Sequence, residues 1–325
     1  MKHHKGMMLV NDFESPGELG RFVGSTWEGV NDEMIDGVYN YISQQILYVK
    51  TFVKNAEESI IKLGGKPLKQ YETPAVHHDH KKNCPEIDEV PGKYADIAPS
   101  VVCAILYVAR STRLDILFAT CRLTRYLTRW TLRQDDWLLR LLGFLKFSAE
   151  WALHFAICPE EFEQKGGIKF ENWSDSDLAG DPPTKRSTSG GCGFLKGKKT
   201  RALVHAYCKR QGQVSASTPE SETTGFIVLG KRTIPLHLMI MRLLKSFIDL
   251  EYLGDNSASE RVVGTGFSAA LAYMKRTAEI SLYWAKENMA KYIKRTPTDE
   301  NISDIFTKPL EKEKFNKFRI ALGIY

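Results

Sequence analysis

The chain has 325 residues, of which 43% are hydrophobic, 11% aromatic and 26% charged. That composition describes a folded protein and excludes a disordered or low-complexity one. The 45 Lys and Arg against 39 Asp and Glu leave a net charge of +6, a mild excess that suits a polyanionic partner without demanding one.

In chain order, residues 1–70 mix helical and strand-like patterns. Residues 71–99 are rich in Pro, His, Lys, Asp and Glu and read as a linker or long surface loop. This loop holds His77, His78, His80 and Cys84, residue types that suit zinc. Crowded into eight residues, they lack the two separated pairs of a structural zinc site.

Residues 100–157 read as helical. Ile116, Ala119, Leu123, Leu127 and Trp130 recur at three- and four-residue steps, and residues 137–147 continue as a second apolar helix. Arg122, Arg125, Arg129 and Arg133 fall near one stripe of that pattern. They read first as a solvated face and second as a track for phosphates.

Beyond residue 158 the pattern alternates. Strands are predicted over 168–173, 192–195, 202–207 and 248–253, with a short one over 291–295. Helices are predicted over 219–229, 235–244 and 268–288, and a terminal helix begins at 299–306. Residues 181–191 read as turn-rich. Strands followed by alternating helices and strands predict a mixed α/β sheet covered by helices. Length and pattern together divide the chain into two domains, 1–158 and 159–325.

Six scattered cysteines without a Cys-x-x-Cys pair suit a reducing interior. The first twelve residues hold no signal-peptide core. The longest apolar run, 100–109, stops at Arg110, far short of the ~20 residues that cross a bilayer. The expectation is an intracellular, non-secreted protein without a membrane partner.

Four acids fall where the predicted layout gathers side chains. Asp175 ends the first strand in Trp173-Ser174-Asp175-Ser176-Asp177, and Glu222 lies in the first turns of a helix. Asp255 ends the fourth strand in Gly254-Asp255-Asn256, and Asp304 lies near the C-terminus. Each alone reads as a cap, turn or surface acid. Together they suit two Mg²⁺ or Mn²⁺ ions, because hard cations relieve the repulsion of converging carboxylates. Such a pair activates water and stabilises the leaving oxygen of a phosphodiester.

The wording of these segments carries a resemblance. Ser174-Asp175-Ser176-Asp177-Leu178-Ala179-Gly180-Asp181 with Lys185-Arg186-Ser187-Thr188-Ser189-Gly190-Gly191 resembles the opening of the ribonuclease H domain of Copia (Ty1-like) retrotransposon polyproteins. Cys208-Lys209-Arg210-Gln211 with Ser217-Thr218-Pro219-Glu220-Ser221-Glu222 is similar to that family's third strand and first helix. Asp255-Asn256-Ser257-Ala258 and Asp304-Ile305-Phe306-Thr307-Lys308-Pro309-Leu310 match its later motifs. Upstream, the segments 17–24 and 106–116 resemble the regions after the polymerase palm and in the thumb or connection.

The resemblance implies a ribonuclease H-like mixed five-stranded sheet flanked by helices, preceded by a mainly helical reverse-transcriptase thumb/connection-like region. It implies Asp175, Glu222, Asp255 and Asp304 as catalytic metal ligands and Mg²⁺ or Mn²⁺, two ions, as cofactor. The partners would be an RNA–DNA hybrid and the remainder of the Pol polyprotein, in a cytoplasmic virus-like particle or the nucleus. The activity would be endonucleolytic cleavage of the RNA strand, the hybrid being read by its shape and 2′-hydroxyls. Lys196, Lys198, Lys199, Arg201, Lys209 and Arg210 would contact the backbone, or serve only as solvated cations.

Departures are visible. No Tyr-x-Asp-Asp-like pair is present, so no polymerase activity is expected of this chain alone. The family's Arg-Pro-Asp is Arg113-Leu114-Asp115 here, and Thr277 and Tyr283 stand where the family has histidines. Gly225 and Gly230 are expected to weaken their helix by roughly 1 kcal/mol each. The alternative is a degenerate fragment that binds nucleic acid without cutting it.

Overall fold

A computed structural model describes residues 18–22, 25–30, 34–76, 90–268 and 276–325. The chain forms two compact units. One gathers Trp27–Ile42 and Phe155–Thr307, the other Ser43–His154 and Lys308–Tyr325. The His77–Cys84 cluster lies outside the described residues.

The first unit is a mixed α/β sheet. β5 (Lys169–Asp181), β6 (Arg186–Lys196) and β7 (Arg201–Arg210) form an antiparallel meander. The β5–β6 turn is tight, with Lys185 at φ 55°. On its other side β5 pairs in parallel with β8 (Asp249–Gly254), and β8 pairs in parallel with β9 (Ile293–Arg295). Parallel neighbours need crossovers. The helix Thr218–Leu244 supplies the one before β8, and the helices Ser257–Thr265 and Arg276–Met289 supply the one before β9.

The strand order β7-β6-β5-β8-β9 is the five-stranded part that the sequence predicts. The sheet does not end there. β1 (Glu18–Phe22), β2 (Ser25–Gly29), β3 (Tyr39–Gln44) and β4 (Leu153–Ile157) continue it beyond β7, to nine strands among the described residues. The region before residue 158 is therefore not mainly helical at its start. Its early strands are short, and so carry too little alternation to stand out.

Three other expectations change. The turn-rich reading of 181–191 holds only for the turn itself, because the Ser- and Gly-rich run 187–193 is buried central strand. The two helices predicted over 219–244 are one, with Pro235 inside it. A proline removes one N–H from a helix, yet both halves bury apolar side chains: Phe226 and Leu229 before it, Ile240 after. Residues 302–306 form a 3₁₀ turn, and the terminal helix Lys312–Ala321 starts beyond Pro309.

The core of this unit joins Phe170 and Tyr252 of the sheet to Phe226, Leu229, Val263, Ala285 and Met289 of the helices. Each fully buried apolar side chain of this size contributes about 1.5–3 kcal/mol relative to exposure.

The second unit is built on the helices Ile46–Lys62, Ala98–Ala109, Leu117–Thr124, Leu132–Phe147 and Lys312–Ala321. Thr131 and Gln134 form a capping box at the start of Leu132–Phe147. The helix predicted over 115–130 stops at Thr124 and the next begins at Leu132, so the four arginines do not share one helical face. Arg113 and Asp115 form a fully buried bidentate pair at 3.0 and 2.8 Å. Arg113 also donates to the Ser148 carbonyl and hydroxyl at 2.8 and 2.7 Å. Its guanidinium lies over Phe144 and Trp151.

The five cysteines among the described residues are free thiols. No described helix is long and apolar enough to cross a membrane.

Candidate metal centre

Strand register explains why two of the acids meet. In the parallel pair β5–β8, Trp173 lies opposite Leu253. Two residues further on, Asp175 and Asp255 come level on chains about 4.8 Å apart. Glu222 reaches them from the first turns of the helix Thr218–Leu244. Ser217 caps that helix, its hydroxyl accepting from the Glu220 N–H, and Pro219 occupies the first turn, where its missing N–H costs nothing.

The result is a group of three carboxylates, Asp175, Glu222 and Asp255, whose nearest oxygens all lie within 4.8 Å of one another. Asp175 and Glu222 are buried and Asp255 is half-buried.

Glycines let the surrounding elements close on this group. A Cβ on Gly225 would stand 2.6 Å from the Ser176 hydroxyl and 3.2 Å from that of Ser174. The glycine that seemed a weakness of the helix is what seats it against β5. Gly190, opposite Asp175 in β6, does the same on the other side: a Cβ there would stand 2.6 Å from Phe306 and 2.7 Å from Thr307.

With the 3₁₀ turn so close, the Thr307 hydroxyl donates to the Asp175 carboxylate. Asn301, fully buried, donates its amide to the Ser174 carbonyl at 3.0 Å and to Asp255 at 3.4 Å. Gln211, just after β7, donates to Ser189 at 2.8 Å and to the Ser221 carbonyl at 2.9 Å, tying β6 to the turn that carries Glu222. Sequence reasoning names none of Asn301, Thr307 and Gln211 as site residues, though Gln211 and Thr307 sit inside the quoted motifs.

Asp304 stands outside the group of three. It is fully buried in the 3₁₀ turn, and its backbone carbonyl accepts from Thr307. The same turn presents the Thr307 hydroxyl to Asp175.

The six cations divide. Lys196 is six positions along β6 from Gly190, roughly 20 Å from the level of Asp175. Lys198, Lys199 and Arg201 follow at that far end. Lys196 pairs with Glu171 at 3.0 Å, Lys199 donates to the Asp36 carbonyl at 2.6 Å, and Arg201 lies over Phe194. Lys209 and Arg210, by contrast, pair with Ser189 and Thr188 in β6, one and two positions along the strand from the level of Asp175. Lys209 is exposed, while Arg210 holds buried Asp181 at 2.9 Å.

Among known proteins, no family model matches the chain. It is similar in structure to ribonuclease H1 of the halophilic archaeon Halobacterium salinarum NRC-1, at 14% identity and a TM-score of 0.30, over 43% of this chain and 94% of that one. It is also similar to the N-terminal ribonuclease H domain of Rv2228c from Mycobacterium tuberculosis, solved as a fusion with maltose-binding protein. There the identity is 13% and the TM-score 0.29, over 47% of this chain and 98% of that one. In sequence it is 32% identical to secreted RxLR effector protein 161 of Plasmopara viticola, over 123 residues that make up 38% of this chain and 79% of that protein. Over that stretch, the chain belongs to the same family as the Plasmopara viticola protein.

Proposed function

We propose that the first unit is a ribonuclease H-like nuclease derived from a Copia-type retrotransposon polyprotein, cleaving the RNA strand of RNA–DNA hybrids with divalent metal. The observation that carries this reading is the convergence of Asp175, Glu222 and Asp255 from three separate elements. The order β7-β6-β5-β8-β9, with one antiparallel meander and two parallel additions, supports it.

The donor set suits Mg²⁺ or Mn²⁺. All three donors are hard carboxylates, and opposite ligands of such an ion lie about 4.2 Å apart, close to the 4.8 Å span present. When bound, a pair of such ions supplies an activated water and stabilises the leaving oxygen.

The protein's own part is to hold the carboxylates still. Thr307 and Asn301 fix the orientations of Asp175 and Asp255, and Gln211 fixes the turn beneath Glu222. Lys209, exposed on β7, would meet a phosphate of the hybrid. The far group of Lys196, Lys198, Lys199 and Arg201 would serve only a duplex long enough to reach it.

The test is cleavage of a labelled RNA–DNA hybrid with Mg²⁺, against Asp255→Asn. Cleavage by the wild type that Asp255→Asn abolishes supports the nuclease; hybrid binding without cleavage in both identifies the degenerate binding fragment. The name of the Plasmopara viticola relative favours a second reading, a secreted effector on the same scaffold. Export of the full chain by the cells that make it would decide for that reading.

A further inference from the structure

The C-terminal half of the helix Thr218–Leu244 carries apolar side chains that the core does not use. Leu238 and Met239 are each 48% exposed, Leu243 is 61% exposed, and Phe247, just past the helix, is 67% exposed. Ile240 is the side chain that turns inward here. At about 100° per residue, Leu238, Met239, Arg242 and Leu243 share about 140° of one side of the helix. Exposed Lys245 caps its end. The Ser246 hydroxyl donates to the Phe162 carbonyl at 3.0 Å, which fixes the chain leading to Phe247.

The charge on this segment has one sign. From Thr223 to Ile248 the chain contains no Asp or Glu, and it carries Lys231, Arg232, Arg242 and Lys245, all exposed. Lys231 and Arg232 lie over the rings of Trp284 and Tyr207. Arg242 and Lys245 pair with no acid among the described residues. Asp249, and Glu163 next to Phe162, lie beyond the end of the helix.

This mixture selects among occupants. A nucleic acid would meet the cations but leave four large apolar side chains in water. A second copy would set the cationic face against itself. A partner helix takes a continuous apolar seam, whereas here Arg242 stands between Leu238 and Leu243. An anionic bilayer surface accepts both kinds of side chain at once: apolar tips enter the headgroup boundary while arginine and lysine reach lipid phosphates. We infer that this face docks on an anionic lipid surface, with Leu238, Leu243 and Phe247 inserted and Arg242 and Lys245 on the headgroups. Arg242 lies about 30 Å along the helix from Glu222, and the inference does not rest on the nuclease reading.

Co-sedimentation of the full chain with lipid vesicles tests it. The probes are phosphatidylcholine vesicles with and without about 30% phosphatidylserine. The wild type should pellet with the mixed vesicles and not with the neutral ones. Each cation near such a surface contributes about a factor of five, so Arg242→Gln with Lys245→Gln should weaken binding by about 25-fold. Leu243→Ser with Phe247→Ser should weaken it by about tenfold or more. That pair should leave the thermal melt in place, since both side chains already stand in water. Absence of binding to the mixed vesicles or equal binding to the neutral ones would overturn the inference. Binding unchanged by the Leu243 and Phe247 pair would overturn it too, leaving a surface for any polyanion, an RNA–DNA hybrid included. So would self-association without vesicles that both variants abolish, which would assign the face to a second copy.

Discussion

Neutralising one acid of the centre should stabilise the metal-free protein. Two unit charges 4.8 Å apart repel by about 3.5 kcal/mol at an effective dielectric of about 20, and by about 0.9 kcal/mol in bulk water. Asp255 faces two such partners and is half-buried. Asp255→Asn keeps the side-chain oxygen that accepts from Asn301 and removes only the charge. After discounting for solvent at Asp255, about 2 kcal/mol of relief remains. In urea with EDTA the variant's midpoint should rise by roughly 1 M at a slope of about 2 kcal/mol/M. Mg²⁺ should close most of that gap. At about 10 mM, with a dissociation constant near 1 mM, the ion adds about 1.4 kcal/mol to the wild type and far less to the variant. A variant less stable than wild type in EDTA would refute the reasoning, because the carboxylates could not then be repelling one another.

Gly225→Ala should destabilise despite a gain in helix propensity of about 1 kcal/mol, since overpacking against Ser176 and Ser174 costs about 1–3 kcal/mol. Gly230→Ala meets the flexible Met289 thioether instead and should be close to neutral, and thermal melts of the two variants should show that order. Asp115→Ala strands the buried Arg113 guanidinium and should cost about 3–5 kcal/mol in denaturant titration, while Arg113→Met with Asp115→Leu should cost clearly less. His205 faces Asn172 at 3.1 Å, and burial, aided by the Arg232 charge, lowers its pKa from 6.5 to about 4. The unfolded chain therefore binds this proton first, so stability should be full above pH 6.5 and fall by about 2–3 kcal/mol toward pH 4. His205→Gln should flatten that slope in pH-dependent unfolding.

The acids of the centre were singled out by the motifs that carry the resemblance; periodicity alone places them only at the ends or openings of elements, Asp175 and Asp255 beside alternating apolar strands, Glu222 behind a capped proline start. Their mutual distance was not, since it follows from the pairing of Trp173 with Leu253, which no single segment encodes. Thr307 and Asn301 escaped for a related reason. A hydroxyl and an amide gain meaning only when Gly190 admits the turn that carries them to the sheet. Gly225 was read only as a cost to its helix, because propensity scores a residue within its own helix and ignores the serines pressed against it. The extra strands β1–β4 were hidden by brevity.

The second unit joins Ser43–His154 to Lys308–Tyr325, two stretches that Phe155–Thr307 of the first unit separates in sequence. Phe144 meets Phe315 edge-on at 5.5 Å, Arg319 lies 3.8 Å over Trp151, and Tyr325 pairs backbone to backbone with Ala152. These joins span more than 150 positions, so the loop they close is long and its closure slow. During synthesis, residues 43–154 emerge without the helix that completes their core and must wait while the intervening sheet is made. Cutting the chain after Thr307 would thus leave the carboxylate centre whole and the other unit with an open apolar seam.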